Sequence, residues 1–252
     1  MKSHEFSEIN DEIVERTIAR NTSGGAEKQF VNFNLDPIST ETYRRIFDRL
    51  IRQGDLIVNI GAGFAVDPTN RLNSLNREVF EACAKKDATL MVLDINHKDL
   101  LSHKDLKEII NSKNLQIVEA DGLNMPIRDA AVSGIVSGNL INCQDSRMKL
   151  EEQADKLIEE ARRVLRPGGF LLLSSFGYAA AGKDGQGRNL YNNGLKKEDI
   201  LTLKRIEEIL LSKGFADIAE LDIDQENEAL LRKNTLLPSE EAGGLIAYKT
   251  QN

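Results

Sequence analysis

The stretch Asp55 to Ala65, DLIVNIGAGFA, decides the fold: a short apolar run, Leu56, Ile57, Val58 and Ile60, breaks at Gly61-Ala62-Gly63. A β-branched run this short, preceded by Gly54-Asp55, reads as a parallel strand buried on both faces. The glycines after it can take positive φ and let the backbone approach a ligand closely. Gly-x-Gly also ends many strands for steric reasons alone, so the turn needs support from elsewhere in the chain.

Two later segments supply it. After a stretch with Leu72, Leu75, Val79 and Phe80 at helical spacing comes Thr89 to Asp94, TLMVLD, a second buried strand closing on a carboxylate. An acid at such a tip can accept hydrogen bonds from both hydroxyls of a ribose, or can serve as a helix N-cap. A third strand, Leu115 to Ala120, runs into Asp121-Gly122. Three strands ending in this way line one rim of a parallel sheet, where open α/β folds bind ligands.

In these segments the chain resembles the class I S-adenosylmethionine-dependent methyltransferases, in particular their small-molecule branch. That family's first motif, acid-x-Gly-x-Gly-x-Gly, stands here as Asn59 to Ala65, its ribose acid as Asp94, and its Asp-Ala-x-x-Leu-Pro-Phe-x-Asp as Asp121 to Asp129, DGLNMPIRD. Val132 to Asn139, VSGIVSGN, occupies the place of its fourth strand, and Ala161 to Leu173, ARRVLRPGGFLLL, resembles its helix, Pro-Gly-Gly turn and fifth strand. The likeness runs over residues 41 to 252. It departs from the family at Asn59 (an amide for an acid), at Ala65 (for the third glycine) and at Ser133 (for an acid). The interval from Gly63 to Asp94 is also long, and Asp67 to Asn76 reads as an added loop.

The resemblance implies an α/β fold: a doubly wound, seven-stranded Rossmann-like sheet, mostly parallel with an antiparallel last strand. It implies S-adenosyl-L-methionine as cofactor, held by Asn59, Gly61, Ala62, Gly63, Asp94, Ile95, Asp121, Gly122, Ser137, Gly138 and Asn139, with Ser137 to Asn139 beside the reactive methyl. The implied reaction moves that methyl to a small-molecule acceptor. A methyltransferase-like binding protein without catalysis, kept open by Asn59 and Ala65, is one alternative. A nicotinamide-dependent oxidoreductase is the other, disfavoured by Asp121 to Asp129 and by Pro167-Gly168-Gly169. No catalytic residue is identified: His4, His97 and His103 stand away from an acceptor's place, and Tyr178, Asp184 and Tyr191 read equally well as loop residues.

Composition sets the remaining limits. A chain of 252 residues can bury roughly 70 to 75% of its unfolded surface and needs no disulfide or metal to fold. Cys83 and Cys143 lack paired-ligand spacing, so no metal site is expected; Cys83 reads as a core residue and Cys143 as buried filler or pocket lining. A net charge of −7, from 33 basic and 40 acidic side chains, argues against general nucleic-acid binding. Lys183, Arg188, Lys196 and Lys197 could hold an anion but suit a solvated face as well. With no leader-like start and no apolar run of roughly 18 residues, neither secretion nor membrane association is expected, and the address expected is cytoplasmic.

Along the chain, residues 1 to 40 read as an N-terminal helical cap, with Ile9, Ile13, Val14 and Ile18 at helical spacing, and residues 41 to 252 as the main domain. Ser39-Thr40 should cap a helix over Glu41 to Gln53. Gly177 to Gly194, with five glycines, reads as a loop over the acceptor pocket. An amphipathic helix over 202 to 213 should stop at Gly214, with the last two strands at Ile218 to Ile223 and Gly244 to Lys249.

Overall fold

The run Leu56–Ile60 forms strand β1, buried along nearly its whole length. It lies between the parallel strands β2 (Thr89–Asp94) and β4 (Val132–Gly138). A computed structural model of the protein describes residues 38–61, 74–95, 113–138, 141, 148–179, 201–223 and 237–251. Seven strands form one sheet in the order β3-β2-β1-β4-β5-β7-β6, with β3 at Leu115–Glu119, β5 at Leu165–Ala179, β6 at Phe215–Glu220 and β7 at Leu237–Lys249. β7 runs antiparallel to both β5 and β6, and the other pairs are parallel. This is the doubly wound sheet the sequence implies.

Helices cover both faces. Helices α1 (Thr40–Leu50) and α2 (Ser74–Lys86) bury Tyr43, Phe47, Leu75, Val79 and Cys83 against Ile57, Val92, Val136 and Leu172. Helices α3 (Leu150–Val164) and α4 (Leu203–Ser212) bury Leu157, Ile158, Ile206 and Leu210 against Val58, Ile60, Ile135 and Leu171. Neighbouring residues of one strand thus serve opposite cores, which is why the strands read as continuous apolar runs. Each large side chain so buried contributes about 1.5–3 kcal/mol.

Local chemistry sets the helix ends. The Ser39 hydroxyl accepts from the Thr42 N–H at 3.1 Å and starts α1. That helix ends at Leu50, before the expected Gln53, because the Arg52 N–H turns to the Asp55 carboxylate at 2.8 Å. Thr202 caps α4 in the same way, and the helix stops at Gly214 as expected. α2 begins at Ser74, so the last three residues of the expected added loop are helical.

Three further boundaries differ from expectation. β6 begins at Phe215 and ends at Glu220; a bulge between Ala216 and Ala219, with Asp217 at φ 49°, hides the strand's alternation. Ile223 instead makes an isolated bridge with Ile38. β7 extends back to Leu237 and pairs with a β5 that continues through Gly177 and Tyr178 to Ala179, so the start of the expected loop is strand. Pro167-Gly168-Gly169 lies in a bulge within β5, between the pairs Val132 with Leu165 and Gly134 with Phe170. The cap's residues 1–37, the rest of the Gly177 to Gly194 segment and Cys143 lie outside the described residues.

Candidate functional site

The strand order reverses between β1 and β4, so the crossovers leave in opposite directions and open a crevice at the carboxyl ends of those strands. Gly61 stands there with φ 70°, its N–H donating to the Leu93 carbonyl at 2.9 Å. A side chain at this φ would be strained, so glycine is required to turn the chain off β1. Across the crevice the Ser137 hydroxyl donates to the Ile60 carbonyl at 3.4 Å. Gly138 leaves room for the first turn of α2: a Cβ there would lie 3.0 Å from Leu75 Cδ2.

Asp94 ends β2 next to Gly61, is only 6% exposed and pairs in register with Glu119. Ile95, the next residue, is 71% exposed, a large apolar side chain facing solvent beside a buried carboxylate. Asp121 and Gly122 follow β3 on the same rim, where Asp121 Oδ1 accepts from the Leu123 N–H at 2.9 Å and Gly122 is buried. The structure therefore brings Asn59, Gly61, Asp94, Ile95, Asp121, Gly122, Ser137 and Gly138 to one rim. Ala62, Gly63 and Asn139 lie outside the described residues.

Asn59 is buried on the α2 face of β1, its amide Nδ2 donating to Asn76 Oδ1 at 2.7 Å. Its own Oδ1 has no hydrogen-bond partner among the described residues. The hydroxyl of Ser174, which pairs in register with Gly138, is likewise buried and unpartnered among them. Such orphans are costly and mark a place where a ligand's donor would be welcome. Asn76 and Ser174 carry no local sequence signal; both are reached only through sheet register and helix packing.

Two ionic clasps hold this framework. Arg44 on α1 grips the buried Glu78 of α2 with two hydrogen bonds, 3.1 and 3.2 Å long, and so fixes the helix that follows the glycine turn. On the opposite rim the buried Asp55 accepts from the Ser133 hydroxyl at 2.8 Å and from Arg166 at 3.0 Å, tying β1 to β4 and β5. Ser133, which stands where the family has an acid, thus serves Asp55 rather than the crevice.

Comparison with known proteins gives the arrangement its context. The sequence model of a methyltransferase domain family matches residues 75–173. No curated protein sequence matches the chain. Haemonchus contortus phosphoethanolamine N-methyltransferase 2, solved with phosphomonomethylethanolamine and S-adenosylhomocysteine, superposes with a TM-score of 0.57 at 14% identity, over 89% of this chain and 55% of its own. The same enzyme with S-adenosyl-L-methionine gives 0.55 at 14% identity, over 94% and 56%. A methyltransferase of Aquifex aeolicus gives 0.51 at 14% identity, over 85% and 90%. At these identities the structural likeness is one of fold, and the chain spans about half the length of the Haemonchus protein. The matched segment and the sheet with its crevice at β1 and β4 agree: over residues 75–173 the chain is similar to a methyltransferase domain, and its fold is the Rossmann-like one of the methyltransferase structures.

Proposed function

We propose that this chain binds S-adenosyl-L-methionine at the β1–β4 crevice and transfers its methyl group to a small-molecule acceptor. The observation that carries the reading is the pairing of Gly61, at positive φ, with a buried carboxylate, Asp94, on the neighbouring strand tip. The residues present fit the cofactor: Asp94 for the ribose hydroxyls, Ile95 as an apolar surface for the adenine, and Asp121 with Gly122 for the adenine edge. Gly61 to Gly63, Ser137, Gly138 and Asn139 would hold the methionine part, and the orphaned Asn59 Oδ1 offers an acceptor beneath it.

When bound, S-adenosyl-L-methionine supplies a methyl on a positively charged sulfur that is ready to leave as a neutral thioether. The chain's own work is then position and exclusion of water. Aligning an acceptor's lone pair in line with the methyl can account for about 7–11 kcal/mol of barrier, so no protein nucleophile is needed. A phenol or alcohol acceptor would gain from a base, whereas an amine or carboxylate needs none.

Calorimetry with S-adenosyl-L-methionine and with NAD tests the reading. The methyl donor should bind, NAD should not, and Asp94→Ala should weaken binding by at least about tenfold, the loss of charge-assisted hydrogen bonds worth roughly 1.5–3 kcal/mol each. Preference for NAD would make the chain an oxidoreductase. Binding without turnover across small amines, alcohols and carboxylates would make it a binding protein.

A further inference from the structure

At the carboxyl end of the parallel strands, on the face that α1 and α2 cover, a polar side chain stands between two glycines. Ser174 on β5 pairs in register with Gly138, the last residue of β4. On the other side of β5, Gly244 of β7 is bare as well, and a Cβ there would lie 3.0 Å from the Leu173 carbonyl. Ser174 is 2% exposed, and its hydroxyl has no hydrogen-bond partner among the described residues. It leans toward β4, for a Cβ on Gly138 would lie 3.6 Å from Ser174 Oγ. The pairing of β5 with β7 shifts register just here, between Leu173 and Phe176. Bulges of this kind re-aim side chains beside active sites.

A buried hydroxyl without a partner is a standing cost, which alanine in the same place would not carry. The walls around it are apolar: Leu75 Cδ2 lies 3.0 Å from the Cβ position of Gly138, and Ile38 Cδ1 3.4 Å from that of Gly244. Leu75 meets Gly138 with the end of a flexible side chain, which can yield to a ligand. Strand order then relates the hydroxyl to the chemistry. The donor crevice opens between β1 and β4, and β5 lies on the side of β4 away from β1. A group held by Ser174 past Gly138 therefore meets the transferable methyl from the side opposite the glycine turn.

We propose that Ser174 binds and orients the methyl acceptor, and that the acceptor is a primary or secondary amine. One N–H of the amine donates to Ser174 Oγ while the nitrogen lone pair faces the methyl. This role rests on S-adenosyl-L-methionine binding at the crevice. Among the described residues no carboxylate or imidazole bonds to the hydroxyl, so Ser174 is not activated as a base able to deprotonate an alcohol or phenol. An apolar wall is costly for a carboxylate but favours the neutral, nucleophilic form of an amine. In the step itself the lone pair forms the N–C bond and the C–S bond breaks with its pair on sulfur. The product ammonium gives its extra proton to water on release.

The test uses the full chain, with donor binding followed by calorimetry and turnover by release of S-adenosylhomocysteine. The probes are n-butylamine, benzylamine and ethanolamine, set against n-butanol, phenol and benzoate. An amine should be methylated, and the alcohol, the phenol and the acid should not. Ser174→Ala should lower kcat/KM for that amine by at least about tenfold while leaving the Kd of S-adenosyl-L-methionine unchanged. It should not lower the melting temperature, since it removes an unpartnered group, and Ser174→Thr, which keeps the hydroxyl, should recover part of the activity. A native chain that does not bind S-adenosyl-L-methionine would overturn the donor site and this role with it. Donor binding with no amine methylated, or an Ser174→Ala variant as active as the native chain, would overturn the acceptor assignment alone. A lower melting temperature in Ser174→Ala would return the hydroxyl to packing and overturn it too.

Discussion

Asn59 shows how one atom type settles what a site tolerates. The charge argument from sequence predicts that Asn59→Asp tightens the complex, because a carboxylate would meet the cofactor's ammonium group. The structure argues the reverse. Asn59 Nδ2 donates to Asn76 Oδ1 at 2.7 Å inside the core, and aspartate has no donor to offer there. Two acceptor oxygens would then face each other without water, a cost of about 1–3 kcal/mol. Asn59→Asp should therefore lower the melting temperature and loosen S-adenosyl-L-methionine, and Asn76→Ala in the same chain should relieve part of the loss. A variant as stable as the native chain with a tighter complex would refute the pairing argument.

At the scale of elements, β4 and β5 meet in a tight joint. Gly134 pairs with Phe170, and a Cβ on Gly134 would lie 2.2 Å from the Phe170 ring, closer than real atoms approach. Gly134→Ala must push the ring aside or part the strands, and overpacking of this kind costs about 1–3 kcal/mol. Thermal unfolding should show the drop, and Phe170→Leu should offset part of it, since the two sites share the clash. Losses that merely add would mean that the strain is taken up elsewhere. The same joint shows what the sequence does and does not reveal. Leu56 to Ile60, Thr89 to Asp94, the Ser39 cap and the Gly214 stop are legible because their signals are local: apolar runs, a hydroxyl, a left-handed glycine. The clasp on Asp55 is not, because its partners Ser133 and Arg166 stand 78 and 111 residues away. The bulges in β5 and β6 are missed for a related reason: each breaks the alternation from which a strand is read.

For the whole molecule, stability against pH should be limited by different groups on its two sides. Glu160 lies under Arg163, which also holds the Met125 and Ile127 carbonyls and so pins the loop between β3 and β4 to α3. Arg163, with the Met125 N–H assisting, holds the Glu160 carboxyl below its ordinary value of 4.5. A depressed carboxylate contributes its stability fully above that ordinary value, and the contribution is lost as pH falls through the folded value. The alkaline side belongs to Cys83, buried between α2 and the sheet, where desolvation pushes the thiol from 9.0 up to about 12. A thiol raised in the folded state gives stability that is present below 9.0 and lost as pH rises toward 12, because only the unfolded chain can ionise it in that range. The slope is at most about 1.4 kcal/mol per pH unit for one group. Denaturant titrations should therefore find a plateau through neutral pH that falls below about pH 4.5 and above about pH 9. Glu160→Gln should flatten the acid limb alone. Cys83→Ala should lower the plateau through lost packing yet flatten the alkaline limb. An alkaline limb as steep in Cys83→Ala as in the native chain would assign that loss to other groups, with the partly buried Tyr248 hydroxyl, also raised by desolvation, next in line.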